Sequence, residues 1–270
     1  GTRFGANADY LAFGYNGDTP VRGVGQGEAD PSDRMLCGPA ITGLIGPASG
    51  LALQARSVLE EGAIPGLLAE LLPAAFTVVA ATDGDNTARG LAARAAQAAR
   101  AAESLALGRS GAYRGALAHT QTYLSMGHDE AAGELRLVDD RLRIAWPGAG
   151  TQGVYRNLQK TVLTATAASG GIAIRPPMWK RVFSHNLITV HPLGGCPLGE
   201  DAERGAVNER GQLFCGDTGT AVHPGLYVVD GAIIPTSIGI NPLLTICALA
   251  ERAMTLLLAD RGWQEQSAGS

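Results

Sequence analysis

Three short segments near the C-terminus place side chains where chemistry could be done. The first is His191-Pro-Leu-Gly-Gly-Cys196, which follows the apolar run Leu187-Ile-Thr-Val190. Histidine is the proton acceptor suited to neutral pH. Held at a strand end, with Gly194 and Gly195 beside it, such a residue lets another molecule approach the backbone. The second is Leu226-Tyr-Val-Val-Asp230-Gly231-Ala232, read as an apolar strand. It offers a carboxylate and a residue without a side chain at a strand's C-terminal end, where α/β sheets bind ligands. The third is Gly239-Ile-Asn241-Pro242, ahead of an apolar helix from Leu243 to Leu258. Asn241 suits an N-cap and Pro242 the first helical position. The helix N-terminus carries free N–H groups and partial positive charge, ready to stabilise an anion. Each segment alone is equally an ordinary turn, strand end or capped helix.

The elements that must position these residues are read from periodicity. The first 50 residues, rich in Gly, Asn, Asp and Pro, read as loops with short strands. Alternation suggests a strand over Leu51-Ala-Leu-Gln-Ala-Arg56, a helix is expected from Pro65 to Leu72, and Thr82 to Thr87 reads as a loop. Leu91 to Leu107 is an alanine-rich helix with one buried face. A period-two run through Ala118, Thr120, Thr122, Leu124 and Met126 is followed by alternation on either side of Asp139-Asp140-Arg141, a hairpin signal. Val154, Leu158 and Val162 place a helix over 152–168, ended by Gly170-Gly171. Mixed strands and helices without regular βαβ units indicate an α+β arrangement at first, with α/β character towards the end. Gly23-Val-Gly-Gln-Gly27 lacks the preceding strand and following helix that a phosphate-binding loop needs, and reads as a turn.

Composition narrows the function classes. With 46% hydrophobic and 17% charged residues among 270, the chain can bury a core. A net charge of −4 argues against a broad nucleic-acid surface. No apolar run is long enough to span a bilayer, and a soluble protein is expected, cytoplasmic or exported within a longer precursor. Cys37, Cys196, Cys215 and Cys247 are scattered and read as isolated thiols. His119, His128 and His185 lack ligand spacing, so no metal site is expected, and His223, before a Pro-Gly turn, reads as structural. The 37 glycines are close to twice the usual share of about 7%.

In this order and spacing, His191-Pro-Leu-Gly-Gly-Cys, Gly225-Leu-Tyr-Val-Val-Asp-Gly and Asn241-Pro-Leu-Leu-Thr-Ile-Cys-Ala-Leu-Ala-Glu-Arg252 resemble the C-terminal signature of GMC-type flavin oxidoreductases, the cholesterol oxidase branch above all. The resemblance is strong over 186–254. It is looser at Leu59-Glu-Glu-Gly-Ala-Ile-Pro65 and from Tyr123 to Trp146, which are similar to the branch's substrate domain. It implies a substrate domain on a large sheet over 1–185, whose first roughly 20 residues contact the FAD domain. It further implies the C-terminal part of a discontinuous FAD-binding domain over 186–260, and a flexible tail over 261–270. The family's N-terminal Rossmann unit, with its GxGxxG loop, is not in this sequence. The chain, which starts at Gly1, is therefore expected to be a cleaved, split or excised C-terminal half that needs a partner chain to hold FAD.

The resemblance also implies roles. A small hydrophobic, sterol-like secondary alcohol gives its hydroxyl proton to His191 and its hydride to flavin N5, and Asn241 hydrogen-bonds the substrate oxygen or the flavin. The helix from Pro242 faces the flavin N1–C2=O edge, Leu243 lines the pocket, and Asp230 and Gly231 contact the ribityl or phosphate part. Gly194, Gly195, Gly231 and Gly239 pass close to the cofactor. A carboxylate of the substrate domain serves as a base. Glu61 is favoured over the adjacent Glu60, since on a strand only one of the two faces the flavin. The loop between Gly199 and Gly225 is longer than in compact cholesterol oxidases, which leaves the substrate open. The alternatives are a flavin-dependent lyase, isomerase or cyclase on the same fold, or a non-catalytic module without its cofactor domain.

Overall fold

The computed structural model describes residues 1–25, 41, 43–47, 49–68, 71–176 and 178–263. Cys37, Gly27 and residues 264–270 of the expected tail lie outside the described residues. The chain divides into two compact units. A sheet unit comprises 9–126 and 150–188; a cleft unit comprises 1–8, 127–149 and 189–270.

The sheet unit contains β1 (Tyr10–Tyr15), β2 (Leu44–Ile45), β3 (Val58–Gly62), α1 (Leu72–Asp83), β4 (Asp85–Asn86), α2 (Leu91–Ala106), β5 (Gln121–Met126), α3 (Gly153–Ala168) and a further short strand, Ile172–Ile174. Six strands form one antiparallel sheet in which β2, β3, β5 and β1 are successive neighbours, followed by Ile172–Ile174 and β4. β3 pairs with β5 from Val58 opposite Met126 to Gly62 opposite Thr122. α3 follows its 3.6-residue spacing, burying Val154, Leu158 and Val162 with Tyr155 and Thr166 on one face. Tyr15, Ile64, Phe76, Leu117, Ile172 and Ile174 form the core beside it. Phe76 packs against Phe13 with ring centroids 4.7 Å apart and the planes tilted by 53°.

Three expectations for this unit are corrected. Leu51–Arg56 is not a strand. Leu53–Ala55 is a turn of 3-10 helix and every residue from 51 to 56 is exposed, so the alternation had no apolar face to bury. The helix expected over Pro65–Leu72 is present there only as a 3-10 turn, Gly66–Leu68; the α-helix begins at Leu72, with Pro73 in its first turn, where the missing N–H costs nothing. It runs to Asp83, so the stretch read as a loop from Thr82 is the end of α1 followed by β4.

The cleft unit has little regular structure. β6 (Glu134–Val138) and β7 (Arg141–Ala145) form the expected hairpin. Asp139 and Asp140 both take positive φ, +50° and +55°, the turn whose twist matches a two-residue hairpin loop. Ile172–Ile174 of the sheet unit is β8. β9 (Gln212–Phe214) then pairs with β10 (Val222–Tyr227). α4 (Leu243–Arg261) ends at Gly262 (φ +64°), whose N–H and that of Trp263 close onto Ala259 and Leu258 carbonyls. Leu193, Val207, Ile233 and Ile234 form this unit's core, with Ile238, Ile246 and Leu249 against it. No helix among the described residues is long and apolar enough to cross a membrane. Cys196, Cys215 and Cys247 are free thiols.

Candidate active site

His191 does not stand at a strand end. Leu187 to Thr189 form no strand, and His191 lies in a bend held from both sides by backbone hydrogen bonds. On one side Gly5 and Leu193 exchange N–H···O bonds of 2.8 and 3.1 Å, and Gly195 N–H donates to Thr2. On the other, Gly194, Cys196 and Leu198 N–H groups donate to Gly231, Ala232 and Ile233 carbonyls. Thr189 links the ends of the bend: its hydroxyl donates to the Ala6 carbonyl and accepts from His191 N–H at 3.0 Å. A segment wedged between two others needs close approach. A Cβ at Gly194 (φ +76°) would overlap the Arg3 carbonyl, and one at Gly195 (φ +106°) would stand 2.5 Å from Leu135. These glycines are therefore explained by the chain's own packing, a nearer cause than the cofactor that the resemblance implied.

The Asp230 segment also departs from the reading as a strand end. β10 stops at Tyr227, and Asp230 caps a single 3-10 turn, Gly231–Ile233, by accepting from Ala232 N–H at 2.9 Å. Its carboxylate remains exposed. Gly231 is buried, and a Cβ there would stand 3.1 Å from the Pro192 carbonyl.

At α4, Asn241 is not the N-cap. Pro242 takes that position with helical dihedrals (φ −83°, ψ −6°), and its carbonyl accepts the first helical bond, from Ile246 N–H. Helix ends differ by a residue between definitions, but the side-chain consequence is definite. The Asn241 amide makes no hydrogen bond among the described residues, and the first turn of α4 has neither a side-chain cap nor an acidic residue. Its positive end therefore goes uncompensated by the chain.

His191, Asp230, Gly231 and Pro242 line one open cleft of about 390 Å³, with Phe4, Leu135 and Ile246 as apolar walls. Asn241 is half-buried beside Pro242, and Leu243 follows it, 67% exposed. Neither Asn241 nor Leu243 is among the lining residues; a histidine and an uncompensated helix N-terminus beside apolar walls fit a planar group on which negative charge develops. Glu61 belongs to the other unit and is not part of this cleft. On β3 it is half-buried beside Gly43, while Glu60, on the opposite face, is 2% exposed with Oε2 buried and without a hydrogen-bond partner.

What holds the segment before Asn241 escaped the sequence reading. Asn7, fully buried at φ +51°, accepts from Ile238 and Gly239 N–H at 3.0 and 2.9 Å and donates to the Ile240 carbonyl at 2.9 Å. Asp129, 7% exposed, accepts from four donors: Ala6, Ala8 and Ala131 N–H and the Ser237 hydroxyl, at 2.7 to 2.9 Å. His128 Nδ1 donates to the Ser237 carbonyl at 3.1 Å, and its ring leaves room only for a glycine at 239. The one sequence signal was Asn7 followed by Ala8-Asp9 in a polar opening stretch, which names no partner 231 residues away.

The comparisons with known proteins point the same way. A family model described as GMC oxidoreductase matches residues 68–250. A cholesterol oxidase of Acinetobacter baumannii is 40% identical over 79 residues, 29% of this chain and 13% of that protein. A cholesterol oxidase of Mycobacterium tuberculosis is 41% identical over 78 residues, 29% of this chain and 12% of that protein. A long-chain-alcohol oxidase of Arabidopsis thaliana is 30% identical over 99 residues, 37% of this chain and 12% of that protein. The aligned stretches thus cover only about an eighth of each relative's length.

Proposed function

The chain belongs to the GMC oxidoreductase family, and from that premise we propose that it carries the substrate-side catalytic groups of an FAD-dependent alcohol oxidoreductase. The observation that carries this reading is the convergence of His191, Asp230, Gly231 and Pro242 on one cleft. When bound, FAD would supply the hydride acceptor at N5 for the substrate's α-hydrogen. Each remaining step falls to side chains of this protein. His191 accepts the hydroxyl proton, held in place by the bonds to Thr189, Leu193 and Gly194 N–H. Asn241, free of capping, donates a hydrogen bond to the substrate oxygen. The first turn of α4 stabilises negative charge developing in the cleft, without reorganisation, because no side chain competes for its N–H groups. Asp230, Gly231 and Leu243 would help hold the cofactor.

The cofactor's pyrophosphate would be held by a strand–glycine loop–helix unit that is not in this sequence, supplied by more of the same polypeptide or by a second chain. Exposed apolar surface supports that reading. Leu243 and Leu244 at the start of α4 are 67% and 82% exposed, and Leu137 and Leu142 on the hairpin 73% and 66%. Exposed apolar side chains on two elements of one unit are what a further protein layer would cover. The substrate is a small hydrophobic alcohol. A sterol-like secondary alcohol is the first reading, and the similarity to long-chain-alcohol oxidases makes a linear primary alcohol the second.

The test replaces His191 with Ala in the flavin-loaded assembly. Loss of a general base costs roughly 10²- to 10⁴-fold. Turnover of a sterol or long-chain alcohol is expected to fall by that order while the flavin absorbance stays. Undiminished turnover would remove the proposed role of His191.

A further inference from the structure

The sheet unit contains a second cleft, of about 430 Å³, whose lining includes Arg156, Arg175, Lys180, Arg181 and His185 and a single carboxylate, Asp83. Four permanent cations around one opening are conspicuous in a chain of net charge −4 that has only two lysines. Two of the four are neutralised: Arg175 pairs with Asp85 at 3.1 Å and Lys180 with Asp83 at 3.2 Å. The other two are not. Arg156 donates only to the Thr151 carbonyl, and the Arg181 guanidinium has no hydrogen bond or ion pair among the described residues. The Nε–H of Arg175 is buried with no acceptor.

The backbone adds to the positive potential. Gly150 and Thr151, just before α3, line the same opening, and α3 starts at Gly153 without a side-chain cap or an acidic residue in its first turn. The walls are fixed. Trp179 Nε1 donates to the Gly150 carbonyl at 2.7 Å, its ring meets His185 edge-on at 5.7 Å, and the His185 carbonyl packs so closely on Gly150 that no Cβ fits. Ser184 and His185 take φ of +54° and +53°, a conformation that residues with side chains adopt only when their surroundings enforce it.

We propose that this cleft binds a small soluble ligand through a phosphate or pyrophosphate group, with Arg156 and Arg181 as the unneutralised cations that grip it. Guanidinium pairs match phosphate oxygens in a bidentate manner, and a capless helix start supplies N–H donors. The site shares no lining residue with the cleft at His191 and does not depend on the oxidoreductase reading.

The experiment titrates pyrophosphate into the purified full chain by calorimetry at fixed ionic strength. Saturable binding with one site per chain is expected. The Arg156→Gln/Arg181→Gln variant should weaken it at least about tenfold, and Arg141→Gln/Arg143→Gln, on the exposed hairpin, should leave it unchanged. Both cleft arginines are exposed, so the unfolding midpoint should not move. If it does, Arg181→Glu alone repeats the test on a side chain that holds nothing in place. Absence of saturable binding, or equal weakening by the cleft and hairpin variants, would overturn the proposal.

Discussion

The sheet unit is ordered by apolar side chains at regular spacing, with Val154, Leu158 and Val162 on α3 and the Tyr15–Phe76–Leu117 core beside it. One polar link, Asn16 with Gln97 and Arg100, ties β1 to α2. The cleft unit reverses these proportions. Its described apolar cluster, Leu193, Val207, Ile233 and Ile234, is small, and the segments around His191 and Asn241 are irregular. They are held instead by Asp129 and Asn7, whose side chains together make seven hydrogen bonds, six of them to backbone. A catalytic loop that must present backbone and polar groups to a ligand cannot bury itself under leucine. A buried carboxylate with four donors gives it rigidity without filling the cleft.

The largest expected effect tests that difference. Asp129→Ala orphans three backbone N–H groups and a hydroxyl. Unsatisfied buried donors cost about 1–3 kcal/mol each when they cannot find water, so a loss of about 3–5 kcal/mol is expected. Leu158→Ala in the sheet unit should cost about 2–4 kcal/mol through its cavity. Amide exchange separates the two. Asp129→Ala should release Ala6, Ala8 and Ala131 first, and Leu158→Ala should release β1 and α3 first. The contrast between the units fails if both variants release the same amides together.

The same contrast explains what was legible in the sequence. α2, α3 and the hairpin around Asp139-Asp140 were readable because their signals are local: helical spacing, a terminating Gly170, a two-residue turn. The strand expected at Leu51–Arg56 failed because alternation says which residues share a face and not whether anything covers it. α1 was displaced because its apolar residues run all around the helix and only Pro73 marks its first turn. In the candidate site, the types and order of His191, Asp230 and Asn241 were readable, but the local geometry assigned to each was not. Nothing local to Asn7 or Asp129 pointed to their partners, which lie 231 and 108 residues away.

A smaller effect is expected at Gly239. Its φ of +72° disfavours a side chain, and a Cβ would stand 2.6 Å from His128 Nε2. Gly239→Ala should therefore cost about 1–3 kcal/mol and lower kcat by shifting Asn241 two residues on. His128→Ala removes the ring but not the backbone strain. The double variant should recover part of the lost stability, measured by denaturant unfolding. No recovery would mean that the positive φ, and not the ring, fixes the loop.

The smallest effect lies in the sheet unit and depends on pH. Burial lowers the pKa of His119 below the ordinary 6.5, an effect that its hydrogen bond to the Gly17 carbonyl (2.9 Å) partly opposes. A histidine whose folded pKa lies below its unfolded value binds more protons unfolded, so stability is full above pH 6.5 and declines as the pH falls through that value towards the folded pKa. The decline should be modest, because the ring is only partly buried. His119→Gln keeps a donor for Gly17 and removes the titration. Its unfolding midpoint should vary less than that of the parent between neutral and mildly acidic pH. Identical pH profiles would show that other groups carry the acid sensitivity. A steeper profile in the variant would mean that protonated His119 is the stabilising form, the reverse of what burial dictates.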